Sequence, residues 1–367
     1  MRFPGALILF LSVCILPGNS QVPGDTHGTR GDLYLNFRNI SFIKDNEYSN
    51  PVIEGYTLLG YFLQPELVYF PSGKLTLSLG ANLLSYSGTN KFTQIKPVFS
   101  AVLNLSNSAT LTLGSLQGSD SHGLSDPHFN KERLYNEYSE DGAQLTVSGE
   151  HIFNDIWLSW ENFIIRGDNK REIFTAGESF RYSSPSIGDI FRFDIPVQIF
   201  AKHFGGQISN YPEQVETYLN LSAGANATID LAEQTYGTMG IGYQYFNGRS
   251  LTRNAPSGIN SGYGHWFKLF YNFRIAGIEA GYWRSHDFYA PEGNYIFGSV
   301  SDHIEGLVIP DRRLVTGSVF LKIRPERLFS IYFGFDGYYD NDLDRFDYAL
   351  TLHLRFNQSF KITNLRD

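Results

Sequence analysis

The chain has 367 residues, of which 42% are hydrophobic, 18% charged and 16% aromatic, with 36 Gly, 23 Tyr and 30 Phe. That aromatic abundance excludes intrinsic disorder, and a formal charge of -8 excludes the basic footprint of a nucleic-acid binder. Past the first twenty positions no apolar run reaches the roughly 18 residues of a helical membrane span, and the glycine and aromatic bias is that of a β-protein.

The first element is a leader. Arg2 gives a short positive start, Ala6 to Leu16 is an apolar stretch of signal-peptide length, and Pro17, Gly18, Asn19 and Ser20 break it. Residues 1–20 are therefore expected to be a signal peptide and residues 21–367 a single domain. Cys14 is the only cysteine. It lies in the leader behind Val13, where a lipoprotein signal needs Gly or Ala, so the exported chain is expected to lack disulfides, thiol chemistry and Cys-ligated metals.

The body alternates with a period of two. Between Lys74 and Leu83, Leu75, Leu77, Leu79, Ala81 and Leu83 share one face, and Lys74, Thr76, Ser78, Gly80 and Asn82 share the other. Val215 to Leu231 repeats this for longer, and near the end Tyr348, Leu350, Leu352, Leu354 and Phe356 alternate with Asp347, Ala349, Thr351, His353 and Arg355. In chain order the pattern predicts strands at residues 33–44, 55–70, 74–83, 92–104, 109–116, 143–150, 155–165, 172–183, 190–203, 215–231, 235–246, 263–273, 277–285, 314–323, 328–340 and 348–356. Segments of about ten residues match the tilted strands that cross a bilayer.

Every second connection is short: 71–73, 105–108, 151–154, 184–189, 232–234, 274–276 and 324–327. The long ones, 45–54, 117–142, 204–214, 247–262 and 286–313, fall between them. Short turns at one end and long loops at the other are the layout of an outer-membrane barrel, with both termini on the short-turn, periplasmic side.

The polar faces carry charges of both signs within the strands: Arg38, Glu66, Lys96, Glu161, Arg192, Asp194, Lys202, Glu279, Lys322, Asp336 and Arg355. In a barrel these line a wet lumen while the apolar faces meet lipid. Tyr69, Phe70, Tyr243, Tyr271, Phe273, Tyr338 and Phe356 fall near strand ends, where interfacial girdles form. The alternative is a soluble β-sandwich with solvated polar faces.

The chain resembles the porin-like outer-membrane β-barrels of Bacteroides-type bacteria. The residues that carry the resemblance are Phe42-Ile43-Lys44-Asp45-Asn46-Glu47-Tyr48 in the first hairpin, and the stretches His122-Gly123-Leu124, Asp126-Pro127, Glu132-Arg133-Leu134-Tyr135 and Glu140-Asp141-Gly142-Ala143-Gln144-Leu145. One departure is the end of the chain. Many such barrels finish on an aromatic read by the insertion machinery, whereas here the alternating strand ends at Phe356 and a polar tail runs on to Asp367.

The loop at 117–142 holds the richest chemistry: His122, His128, Lys131, Glu132 and Arg133 beside Phe129, Tyr135 and Tyr138. Loops this long are usually functional. Folded into the barrel, His122, His128, Lys131, Glu132, Arg133 and Tyr135 would form a constriction; the alternative is an exposed loop held by its own aromatics. The loop at 286–313 offers aromatic residues for glycan stacking or a cap over the barrel mouth. Asp340, Asp342 and Asp344 alternate as calcium ligands do, but Arg345 stands where the calcium loop needs glycine, so a polar hairpin is the plainer reading.

No G-x-S-x-G, H-E-x-x-H or clustered metal-ligand spacing occurs. A hydrolase would have to rest on His203 or His122. The sequence thus predicts an all-β, closed antiparallel up-and-down barrel of about sixteen strands in the outer membrane, without enzymatic activity, cofactor or metal. It would act as a channel for passive diffusion of small hydrophilic solutes. Its partners would be outer-membrane lipid, the solutes, the insertion machinery and copies of itself, with no nucleic acid. The alternatives are a barrel whose outer loops bind glycan or a partner protein, and a subunit of an envelope assembly.

Overall fold

The computed structural model describes residues 28–206, 208–231, 237–326 and 329–366. The leader with Cys14 and the short turn expected at 232–234 lie outside the described residues. Sixteen strands close into one antiparallel barrel in which each pairs with its sequence neighbours and the last pairs with the first. In order they are β1 (Asp32–Glu47), β2 (Thr57–Tyr69), β3 (Leu75–Tyr86), β4 (Gln94–Asn104), β5 (Ala109–Ser115), β6 (Asp141–Ser148), β7 (Ile152–Asn162) and β8 (Glu172–Ser183). They continue as β9 (Phe191–Gly205), β10 (Glu216–Asp230), β11 (Thr238–Ser250), β12 (Ser261–Phe273), β13 (Ala276–His286), β14 (Asp311–Glu326), β15 (Phe329–Asp340) and β16 (Arg345–Asn364). A one-turn helix α1 (Arg133–Asn136) lies in the β5–β6 loop, and 3-10 turns sit at Ser119–Ser121 and Tyr295–Phe297.

The period-two pattern decides which face meets what. Leu79, Ile95, Phe99 and Leu269 point outward and are 56–64% exposed, as expected of side chains that rest on lipid. Residues of the opposite parity, such as Asn82, Ser100 and Gln198, are buried inside. Closure removes the unpaired edges an open sheet would leave in hydrocarbon.

The chain end differs from the expected polar tail. β16 continues past Phe356 to Asn364 and pairs with β1 as far as Asp32, with a register shift between Leu33 and Tyr34. Past Phe356 the outward face is interrupted by Gln358 and resumes with Phe360 and Ile362, 51% and 52% exposed, and the segment keeps its β1 backbone partners. Two of the expected girdle residues also move inward. Tyr338 is buried against Tyr48 and Phe297, and Phe70 is buried edge-on to Tyr34. Their parity places them on the lumen face, where loops and neighbouring rings cover them.

The outer half of the lumen is packed. Loop residues Leu134 and Tyr135 join the inward Ile40, Phe42, Phe62 and Leu84. Phe129 and Leu124 meet Trp157 and Phe200. The β13–β14 loop brings Phe288, Ile296 and Phe297 against Trp266, Trp283, Phe246 and Leu314. The inward faces are thus only partly polar, because apolar loop residues need apolar wall positions to bury against.

Candidate functional site

Two glycines turn the β5–β6 loop into the barrel. At Gly114 (φ 95°) a Cβ would fall 2.1 Å from the Phe99 carbonyl oxygen, and at Gly118 (φ 105°) one would strike the Tyr138 ring at 2.6 Å. Both conformations belong to the left-handed region that side chains avoid.

His122 anchors the loop. Its ring is fully buried and stacks on Trp157 at 3.7 Å. Nδ1 lies 2.8 Å from Asp155 on β7, and Nε2 lies 2.7 Å from Glu140 at the loop's own end. Burial opposes the charged ring, but the hydrogen bonds to the two carboxylates outweigh it and raise the pKa to about 9. A ring with both nitrogens committed to carboxylates is a clamp, with no lone pair left for a substrate. His128 is the opposite case. It is fully buried edge-on to Phe246, and burial lowers its pKa to about 3.

Glu132 has the densest set of polar partners. Asn46 donates to both carboxylate oxygens at 3.0 and 3.1 Å, Lys44 Nζ lies at 3.6 Å, and the Tyr56 hydroxyl donates to Oε2. Lys44 and Asn46 are inward positions near the outer end of β1, Tyr56 directly precedes β2, and Glu132 precedes α1. The result is a carboxylate held between barrel wall and loop helix, with the partly exposed Tyr56 ring as its outer boundary.

Arg133, next in sequence, turns the other way. It pairs with Glu137 at 2.8 Å and with Glu292 of the β13–β14 loop, with Glu161 at 4.0 Å. Lys202 of β9 joins the same group, 2.5 Å from Glu161 and against Glu292. Backbone bonds from Asn130 to Glu292 and from Asn294 to Asp126 complete the seam between the two long loops. Tyr135 shares a 3.0 Å hydrogen bond with His353 of β16.

The other inward charges separate into pairs along the wall. Arg38 meets Glu66 at 3.4 Å, Arg192 meets Asp230 at 2.7 Å, and Glu279 meets Lys268 at 3.6 Å. Asp194 accepts from Ser183 at 2.5 Å, and Lys96 reaches the Ser139 carbonyl at 3.1 Å. Arg355 pairs with Asp120 of the loop at 2.9 Å. Toward the short-turn end a cavity of about 840 Å³ remains, bounded by Lys131 from the loop and by Arg192, Asp194, Lys268, Glu279, Tyr332 and Asp336 from the wall.

Asp340, Asp342 and Asp344 do not converge. Asp340 binds Arg312, Asp342 binds Arg313, and Asp344 accepts from Tyr339. The two hydrolase candidates part company as well. His203 lies outside the lumen, stacked on Phe174 and 2.9 Å from Thr217, far from the clamped His122 across the wall. The sequence reading named Glu132 but not its partner Tyr56, and it missed Glu292 altogether. Asp155 was recoverable, since alternation places it inward on β7; nothing local marks Glu292, whose role comes from the contact between two loops.

Residues 24–365 match the model of the lipid A 3'-O-deacylase-type family. The chain belongs to that family. This overturns the expectation of a chain without enzymatic activity, which rested on the lack of short catalytic motifs; a site assembled from distant strands and loops leaves none. No curated protein matches. Among solved structures the chain is similar to the outer-membrane protein OprD of Pseudomonas aeruginosa, at 9% identity, 92% of this chain, 96% of that one and a TM-score of 0.54. It is also similar to Pseudomonas aeruginosa OccK2 (OpdF) in complex with glucuronate, at 10% identity, 92% and 100% coverage and TM-score 0.50. A loop L8 deletion mutant of Vibrio cholerae OmpT gives 11% identity, 89% and 98% coverage and TM-score 0.50. These likenesses concern the fold: an outer-membrane β-barrel.

Proposed function

We propose that this protein is an outer-membrane acyl-ester hydrolase of the lipid A deacylase type, with Glu132 as the base. Water adds across an O-acyl ester, releasing a fatty acid and leaving a free hydroxyl on the glycolipid. Glu132 takes a proton from the attacking water, and Lys44 and the Asn46 amide are the donors nearest to the charge that develops on the carbonyl oxygen. The observation that carries this reading is the convergence of Lys44, Asn46 and Tyr56 on one carboxylate at the outer end of the barrel, in a family named for this reaction. The test is mass spectrometry of lipid A incubated with the detergent-folded barrel. Wild type should remove an acyl chain, and Glu132→Gln should slow this by about a hundredfold or more. Acyl release by Glu132→Gln at the wild-type rate, or none by a correctly folded wild type, refutes the assignment.

The cavity of about 840 Å³ with its mixed charges favours a second reading: passage of small hydrophilic solutes, narrowed by the infolded loop. Planar-bilayer conductance separates the two. Stepwise openings that widen on deleting residues 119–131 support passage; a folded barrel silent in both forms rejects it.

A further inference from the structure

Most inward cations on the wall have a carboxylate partner; among the described residues Lys96 rests instead on the Ser139 carbonyl and Arg181 on the Phe153 ring, and Lys322 and Arg324 have neither kind of partner. Lys322 and Arg324 lie on the inward face of β14, the parity of Ser318 and Phe320, which line the cavity. Neither makes a hydrogen bond or ion pair among the described residues. Lys322 pairs in register with Tyr332 of β15, which pairs in turn with His353 of β16. Two residues further along β14 and β16 stand Arg324 and Arg355. Arg324 follows Lys322 on the same face and Arg355 lies across β15 from it, and the carboxylate beside them among the described residues is Asp120, bound to Arg355 at 2.9 Å. Arg355 Nε is buried and has no partner. Among the described residues, three cations thus face one carboxylate near the short-turn end of the lumen.

Beside them the wall is aromatic. Phe320 and Tyr332 stack with centroids 6.3 Å apart, and Tyr332 and His353 with centroids 4.8 Å apart, at interplanar angles of 12° and 14°. Like charges left unpaired side by side repel one another unless an anion joins them. Guanidinium groups bind oxyanions through two parallel hydrogen bonds, and aromatic faces accept flat rings.

We propose that Lys322, Arg324 and Arg355 form an oxyanion site at the periplasmic mouth of the lumen, taking the phosphate or carboxylate of a small solute whose ring rests on Phe320 and Tyr332. The site lies apart from Glu132 and does not depend on the ester-hydrolase reading. It would hold a solute arriving from the periplasm, since the short-turn end is its open side.

Isothermal titration of the folded, detergent-solubilised full chain at low ionic strength tests it, with inorganic phosphate, phenyl phosphate, acetate and benzoate as probes. At least one phosphate or carboxylate probe should bind, and its ring-bearing form should bind more tightly than the bare ion. The preferred pair tells phosphate from carboxylate. The double variant Lys322→Gln/Arg324→Gln should weaken binding about tenfold or more, whereas Arg313→Gln, an outer-rim cation paired with Asp342, should leave it unchanged. Absence of binding by all four probes overturns the proposal, as does equal affinity in wild type and double variant. A heat-dependent gel shift confirms folding of each variant. If the double variant fails that check, the single variants Lys322→Gln and Arg324→Gln decide, each expected to weaken binding about threefold; unchanged affinity in both overturns the assignment.

Discussion

Raising the pH should release the β5–β6 loop from the barrel wall, and His122 sets where. Its ring is charged in the folded protein because Glu140 and Asp155 hold one nitrogen each, which places its pKa at about 9 against an ordinary value of 6.5. A group raised on folding contributes its full stabilisation below the unfolded pKa and loses it as pH rises through the folded one. The clamp is therefore intact below pH 6.5, weakens from there, and is gone above about 9. At 1.36 kcal/mol per pKa unit this is worth roughly 3 kcal/mol, or about a hundredfold in the opening equilibrium of the loop. Hydrogen exchange of residues 116–140, corrected for the intrinsic pH dependence, reads that equilibrium directly. Between pH 6.5 and 10 the loop amides should lose about two orders of magnitude of protection, while β2 and β3, which bear no part of the clamp, keep theirs. In His122→Gln the loop should start less protected and show no step. An unchanged loop between the two pH values, or the same step in His122→Gln, would refute the reasoning.

Asp340→Ala should be among the most damaging single changes at the outer rim. Arg312 is fully buried and gives two hydrogen bonds to Asp340 and two to the carbonyls of Ile296 and Gly298; removing its carboxylate strands a buried cation at a cost of about 3–5 kcal/mol, measurable as a lower thermal midpoint in the heat-modifiability assay. Trp283→Ala should loosen the β13–β14 loop. Trp283 is fully buried among Phe246, Phe288 and Phe297 and donates to the Phe297 carbonyl at 3.1 Å, so its loss costs about 3–5 kcal/mol and should expose residues 287–310 to limited proteolysis with the strands intact.

Alternation along the chain was enough to determine the barrel. Lipid on one side and packed lumen on the other force neighbouring residues apart in polarity, so sixteen strands and the sorting of short turns from long loops are written locally. Gln358 shows where that falters: it puts a polar side chain on the outward face, yet Phe360 and Ile362 resume the apolar row and pairing with β1 carries β16 on to Asn364, because a ladder needs amides and tolerates one polar side chain. The site needed the tertiary structure. Glu132 was visible as a charged loop residue, but its partners lie in β1 and at the start of β2, some 76 to 88 positions earlier in the chain. His122 looked like a constriction-loop residue until the fold placed a carboxylate on each nitrogen. Lys322 looked like one more wall charge and Arg324 like part of a short turn, and only the register across β14, β15 and β16 set them beside Arg355. Sequence fixes the face on which a strand residue lies; which distant charge it meets depends on strand order, register and the path of the loops, and those are set by closing the barrel and burying apolar loop residues inside it.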